Sequence, residues 1–321
     1  MSCREKVLII KAGYSEILDK ESNSRKVSLG DVLRTTVLLH NYKDNDVTWV
    51  TDNEAFPLLE GNTHIQRLLP YDSTTILQLQ AEEFDAVVNL EKIPGICALS
   101  DSIHAWKKYG FRFDRRAGKA EAHDRASETL TLSSDLTLKR ENQRTFQELL
   151  FEIIGKKWNG EEYILGYHQK SEEKYDVCLN TQVGQKWPTK QWSFSKWDEL
   201  EERLIKTGLK VTRQDKYGKD SPEILKNLNA YMDWLNSCRI IVSNDSLGLH
   251  LGIAMKKKTL GLFGATPSRE VYFYNRGKAI IPEKIPICLP CLEGLCRLGR
   301  NCMEDISTEK VYKETVAYAN S

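Results

Sequence analysis

Apolar positions along this chain gather into short continuous runs, and between them lie segments in which apolar residues recur at helical spacing. "KVLIIKA" (6–12), "DVTWVT" (46–51), "HIQRLLPY" (64–71) and "FDAVVNL" (84–90) read as strands. A helix opens at Ser28 after a long polar loop, and "NQRTFQELLFEIIG" (142–155) predicts another that stops at Gly155. A second set follows: strand 175–180, helix 194–208, strand 209–213, helix 221–236 opened by Ser221 and Pro222, strand 238–244, a helix from Asp245, and strand 258–264. Near-continuous apolar strands alternating with helices indicate parallel sheets covered on both faces. The pattern predicts two Rossmann-like α/β domains, residues 1–160 and 161–321, facing each other across a cleft. After residue 106, within the first of these, "WKKYGFRFDRRAGKAEAHDR" is basic, interleaved with aromatics and without a clean period.

Composition narrows the picture. A formal net charge of +1 gives no global field to recruit nucleic acid, and 40% apolar residues suffice for sizeable cores. No run approaches the roughly 18 apolar residues of a membrane span. The apolar stretch near the N-terminus, "VLII", is four residues long with Lys11 behind it, which reads as a strand rather than a leader. The expected location is the cytoplasm, where thiols stay reduced.

Several residues carry candidate chemistry. Asp31 lies three residues after Ser28, the spacing of a capping box, yet it also follows a strand and a loop, where α/β enzymes place reactive side chains. In "VSNDSLGLHLGIAMKKKTLGLFGAT" (242–266) a strand ends in Asn244-Asp245-Ser246 and turns through Gly248 into a helix, a ready anion site. Helix capping by the same residues is the plainer alternative. The next strand ends at Gly264 and Thr266, able to line the same crevice, and His250 sits one turn inside the helix. "NTQVGQKWPTKQW" (180–192) follows another strand, offering Thr181 and a cation, Lys186, to neutralise a phosphate. The Asp-x-Asp of residues 44–46 sits in a turn and is not read as a metal site.

"SLGDVLRTT", "KWPTKQW", "SNDSLGLHLGIAM" and "LFGAT" stand in the order and spacing of glycosyltransferase family 9, the ADP-heptose lipopolysaccharide heptosyltransferases, and the chain resembles that family over nearly its whole length. The resemblance implies the GT-B architecture and inverting sugar transfer from a nucleotide donor, with no cofactor for catalysis. It assigns Asp31 as general base and Lys186 to the donor phosphates, with Asp245, Ser246 and Gly248 in the donor turn. Leu247 stands where many relatives have glycine, and "LKVTRQDKYGKDSP" departs from their glycine-rich turn. The acceptor it implies is an anionic glycolipid or surface glycan, with peripheral contact at the inner face of the cytoplasmic membrane. For that acceptor the basic stretch offers Arg112, Arg115, Arg116 and Lys119 on a mobile loop, although such runs also serve simply as solvated faces.

The chain has eight cysteines, and Cys288, Cys291, Cys296 and Cys302 crowd together as C-x2-C-x4-C-x5-C. In a reduced compartment that spacing suggests a structural zinc or iron; disulfides or buried thiols are the alternatives. A similar cluster is common in the family it resembles. A sugar-nucleotide epimerase of the same fold and a degenerate nucleotide-sugar binder remain the competing readings.

Overall fold

The structure, a computed structural model, describes residues 4–14, 27–168, 171–184, 187–217, 227–284 and 288–321. It divides into two units, Met1–Tyr167 and His168–Ser321.

In the first unit the chain runs through β1 (Lys6–Ile10), α1 (Leu29–Thr35), β2 (Asp46–Thr51), α2 (Phe56–Leu59), β3 (Arg67–Pro70), α3 (Ser73–Ala81) and β4 (Glu83–Asn89). It continues through α4 (Pro94–Ser102), β5 (His104–Asp114), β6 (Lys119–Ala122), α5 (Ser127–Ser134), α6 (Leu136–Glu141) and α7 (Phe146–Ile153). The sheet order is β3-β2-β1-β4-β5-β6, parallel except for the β5–β6 pair. Leu8, Ile10, Val50, Val87, Ile96 and Leu99 form one of its cores. Local grammar sets the helix ends. The Asp72 carboxylate accepts from the Thr75 N–H at 2.8 Å to start α3, and Thr145 with Glu148 forms a capping box at α7, which closes before Gly155 at φ +70°.

The basic stretch is a correction. Its residues build a hairpin of β5 and β6 in place of a mobile loop. Gly110 explains the irregular period: its φ is +86°, and a side chain there would collide with the Asn89 carbonyl. Strand β5 pairs with β4 as far as Gly110 and with β6 from Phe111 onward, so its outward face changes partway along.

The second unit holds β7 (Tyr175–Asn180), α8 (Phe194–Lys206), β8 (Val211–Arg213), α9 (Leu228–Asn236), β9 (Cys238–Asn244), α10 (Leu247–Ala254), β10 (Lys258–Leu262), β11 (Gly277–Ile280) and α11 (Thr308–Asn320). Its sheet, ordered β11-β10-β9-β7-β8, is parallel in every pair. The expected start of α9 at Ser221 and Pro222 lies outside the described residues. Trp192 and Trp197 meet edge to face at 4.8 Å inside a core shared with Val177, Ile240, Leu260, Met303, Ile306 and Val311. The fold class is α/β, as the hydrophobic pattern indicated.

Candidate functional site

In an open α/β sheet the crevice for a ligand lies beyond the carboxyl ends of the strands, where the strand order reverses. The second unit reverses between β7 and β9. Asn180 ends β7 there, with its Nδ2 donating to the Ser243 hydroxyl at 2.7 Å and the Ser246 hydroxyl at 2.9 Å. The Tyr231 hydroxyl donates to Asn180 Oδ1 at 2.6 Å. Asn244 Nδ2 in turn donates to the Thr181 carbonyl at 2.7 Å, and the Thr181 hydroxyl donates to Asp215 at 2.9 Å. Thr181, Asn244, Asp245, Ser246 and Gly248 therefore come together at one sheet edge. Gly248 is required by closeness: a methyl there would strike the Tyr231 hydroxyl and the Asn180 amide.

The alternative that Asn244-Asp245-Ser246 merely caps a helix is not what forms. Ser246 occupies the N-cap position of α10 without a side-chain cap hydrogen bond. The Asp245 carboxylate turns to Lys190, whose Nζ lies at 2.9 Å, and accepts from the Thr266 hydroxyl at 2.6 Å. Burial alone would push this carboxyl up. The Lys190 ammonium, His250 with its Nε2 3.9 Å away, and the Thr266 hydroxyl outweigh it and hold Asp245 down at about 2. Lys190 is thus a cation at this edge that the sequence reading missed, and Lys186 lies outside the described residues. Gly264 faces elsewhere: a side chain there would strike Cys302 and Met303, so its smallness serves the cysteine loop.

That loop packs beside the same edge, with the Leu292 N–H donating to the Ala265 carbonyl at 2.9 Å and the Thr189 hydroxyl to the Glu293 carbonyl at 2.6 Å. Cys288, Cys291, Cys296 and Cys302 are half-buried. Burial, and then the neighbouring Cys291, Cys288 and Cys296, push Cys302 up to about 11. The four share one neighbourhood. Among the described residues, however, no set of three or more His, Cys, Asp or Glu side chains is disposed to hold a metal ion.

The first unit reverses between β1 and β4. Beyond those two ends stand Lys11 and Glu91, 3 % and 0 % exposed, with Lys11 Nζ 3.1 Å from Glu91 Oε1. Asp31 lies in the first turn of α1, one quarter exposed, 3.9 Å from Arg34 Nη1. Ser28 makes no side-chain cap, so the capping box that its spacing suggested does not form. Arg34 itself stacks on Phe146 at 3.9 Å. Lys92, over the Phe111 ring at 5.2 Å, is pulled down to about 7, first by burial and then by Lys139 and Lys11, against the opposing charges of Asp31 and Glu91. Lys11, Glu91 and Lys92 were also missed. Their signal was a charge set directly behind a buried strand, in "IIKAG" and "VNLEK". Arg112, Arg115, Arg116 and Lys119 all project as exposed side chains from the β5–β6 hairpin, with Arg112 paired to Glu121 at 3.0 Å. No helix among the described residues is long and apolar enough to cross a membrane.

Comparison with known proteins bears on this site. Residues 225–301 match the family described as glycosyltransferase family 9 (heptosyltransferase). A 78-residue segment is 31% identical to lipooligosaccharide heptosyltransferase 2 of Campylobacter jejuni, covering 24% of this chain and 25% of that protein, so the match spans about a quarter of the curated relative. In fold, the chain is similar to the E. coli ADP-heptose lps heptosyltransferase II, with a TM-score of 0.68, 14% identity and 98% of both chains covered. It is similar also to the iron-containing dodecameric glycosyltransferase TibC from enterotoxigenic E. coli, with a TM-score of 0.58, 12% identity, and 100% of this chain and 77% of that one covered. In sequence over residues 225–301, and in its GT-B fold over nearly the whole length, this chain resembles glycosyltransferase family 9.

Proposed function

We propose that this chain is an inverting glycosyltransferase that moves a sugar, heptose from ADP-heptose in the first instance, onto a lipopolysaccharide core or related surface glycan. One observation carries the reading. At the β7–β9 reversal the acidic and hydroxyl side chains leave the start of α10 without a side-chain cap and gather a cation, Lys190, beside it. This is the provision a nucleoside diphosphate needs, and its turn into α10, though not Lys190, lies inside the segment that matches the family.

An acceptor hydroxyl attacks the anomeric carbon while the bond from that carbon to the phosphate oxygen breaks. The hydroxyl proton passes to the Asp31 carboxylate. Negative charge grows on the departing nucleoside diphosphate, met by the N–H groups of α10 and the cations Lys190 and Lys186. Thr181, Asn244, Ser246, Gly248 and Thr266 shape the donor turn, and His250 supports Asp245. Arg112, Arg115, Arg116 and Lys119 on the exposed hairpin are assigned to the anionic acceptor and to peripheral contact at the inner face of the cytoplasmic membrane. The donor set of Cys288, Cys291, Cys296 and Cys302 suits a structural zinc or iron by its thiolate chemistry, and such an ion would pin the loop.

A thermal-shift panel of ADP, GDP, UDP, CDP and their sugar conjugates tests the reading. Selective stabilisation by ADP and ADP-heptose is expected. A response to a different nucleotide overturns the donor, and silence across the panel overturns the transferase.

A further inference from the structure

Glu91 has no part in the chemistry above, yet its setting is unusual. Its side chain is 0 % exposed, a state a carboxylate adopts only with partners. Oε1 accepts from the Gly13 N–H at 2.7 Å and lies 3.1 Å from Lys11 Nζ. The Glu91 N–H donates to Asn89 Oδ1 at 3.1 Å, and Asn89 Nδ2 donates to the Phe111 carbonyl at 2.7 Å, which ties this turn to β5.

On its far side Gly13 continues the connection. Its φ is +90°, and a methyl there would press on Val27 and Val32, so this peptide packs directly against α1. The Gly13 carbonyl accepts from the Ser28 N–H at 2.7 Å, and the Ser28 carbonyl accepts from the N–H groups of Asp31 and Val32 at 3.1 and 3.2 Å. Hydrogen bonds therefore run without a break from the Glu91 carboxylate, at the β1–β4 reversal, to the backbone of Asp31.

Resting on the glycosyltransferase reading, we propose that Glu91 is a positioning residue: through the Gly13 peptide it fixes where α1 begins and so where the Asp31 carboxylate stands. Lys11 makes the buried charge tolerable. Stability alone is a poor account of the pair, because well-packed apolar residues of similar volume generally serve a core as well as a buried ion pair does. What apolar residues cannot supply is an acceptor aimed at the Gly13 N–H.

Three variants test this: Glu91→Ala, Glu91→Gln, and the double variant Lys11→Met with Glu91→Leu, which removes both charges and so leaves none unpaired if the first fails to fold. Initial rates give kcat and donor KM, and amide exchange is followed over residues 29–35. Glu91→Ala and the double variant are expected to lose at least 30-fold in kcat with donor KM within threefold, and to exchange at least tenfold faster in α1. Glu91→Gln, whose amide oxygen still accepts from Gly13, is expected to recover most of both losses. A folded double variant with kcat within twofold of the parent, or with α1 exchange unchanged, overturns the proposal. If the parent itself turns over no nucleotide sugar, the glycosyltransferase reading falls, and α1 exchange alone decides whether Glu91 positions that helix.

Discussion

Asp31 stands 3.9 Å from Arg34, a loose ion pair on the rim of the first unit, and Arg34 is itself held by Phe146. A carboxylate so placed is restrained yet open to an arriving hydroxyl. Removing its basicity with Asp31→Asn is expected to lower kcat by about 10²- to 10⁴-fold, the usual worth of a positioned base, and to leave donor affinity unchanged. Initial rates beside an ADP-binding titration check both halves, and equal loss of binding would assign Asp31 to the donor instead. Asp245 has a different signature. Its folded value of about 2 lies below the ordinary 3.8, so its contribution is present above pH ~4 and is lost as pH falls through 2. Asp245→Asn is therefore expected to cost about 2 kcal/mol at pH 7, since each tenfold gain in acidity on folding is worth about 1.36 kcal/mol. The difference should close between pH 4 and pH 2 in urea unfolding, and a gap unchanged across that range would mean that Lys190 is not its partner.

Among the elements, α10 is held close to its neighbours. Gly248→Ala drives a methyl into the Tyr231 hydroxyl and Asn180 amide, and about 1–3 kcal/mol of stability is expected to go with it, together with nucleotide affinity. Gly95→Ala in α4 has nothing within 4 Å of the added carbon and serves as the control, expected to be neutral to slightly stabilising. Strands β7 and β9 could be read from the sequence to the residue, because each centres on a short buried apolar run, 177–179 and 240–242, closed by an asparagine at the strand end. Strand β5 could not: its burial changes at Gly110, where its partner changes. The same distinction separates the site residues. Asp245 and Ser246 announced themselves through a local turn between strand and helix. Lys190, Glu91 and Lys11 gain their places from the fold, which brings together residues as far apart as 11 and 91; a charge behind a strand is visible locally, but the partner it meets is not.

At the scale of the molecule, each unit places its polar chemistry where its own sheet changes direction, between β1 and β4 in the first and between β7 and β9 in the second. A nucleotide bound at the second of these stabilises the folded chain by mass action, about 2.7 kcal/mol at 100 times its Kd, which sets the size of shift to seek with ADP-heptose. The seating of α11 reaches further. Every strand of the second sheet is present by Ile280, yet its core includes Met303, Ile306 and Val311. On the ribosome, then, the second sheet is spun out before the residues that cover it, and Val177, Ile240 and Leu260 must wait bare for them. The first unit, whose sheet and helices are all encoded before residue 168, can close while synthesis continues. The nascent chain is expected to be most exposed to chaperones and to misassembly in the interval when residues 281–311 are being added.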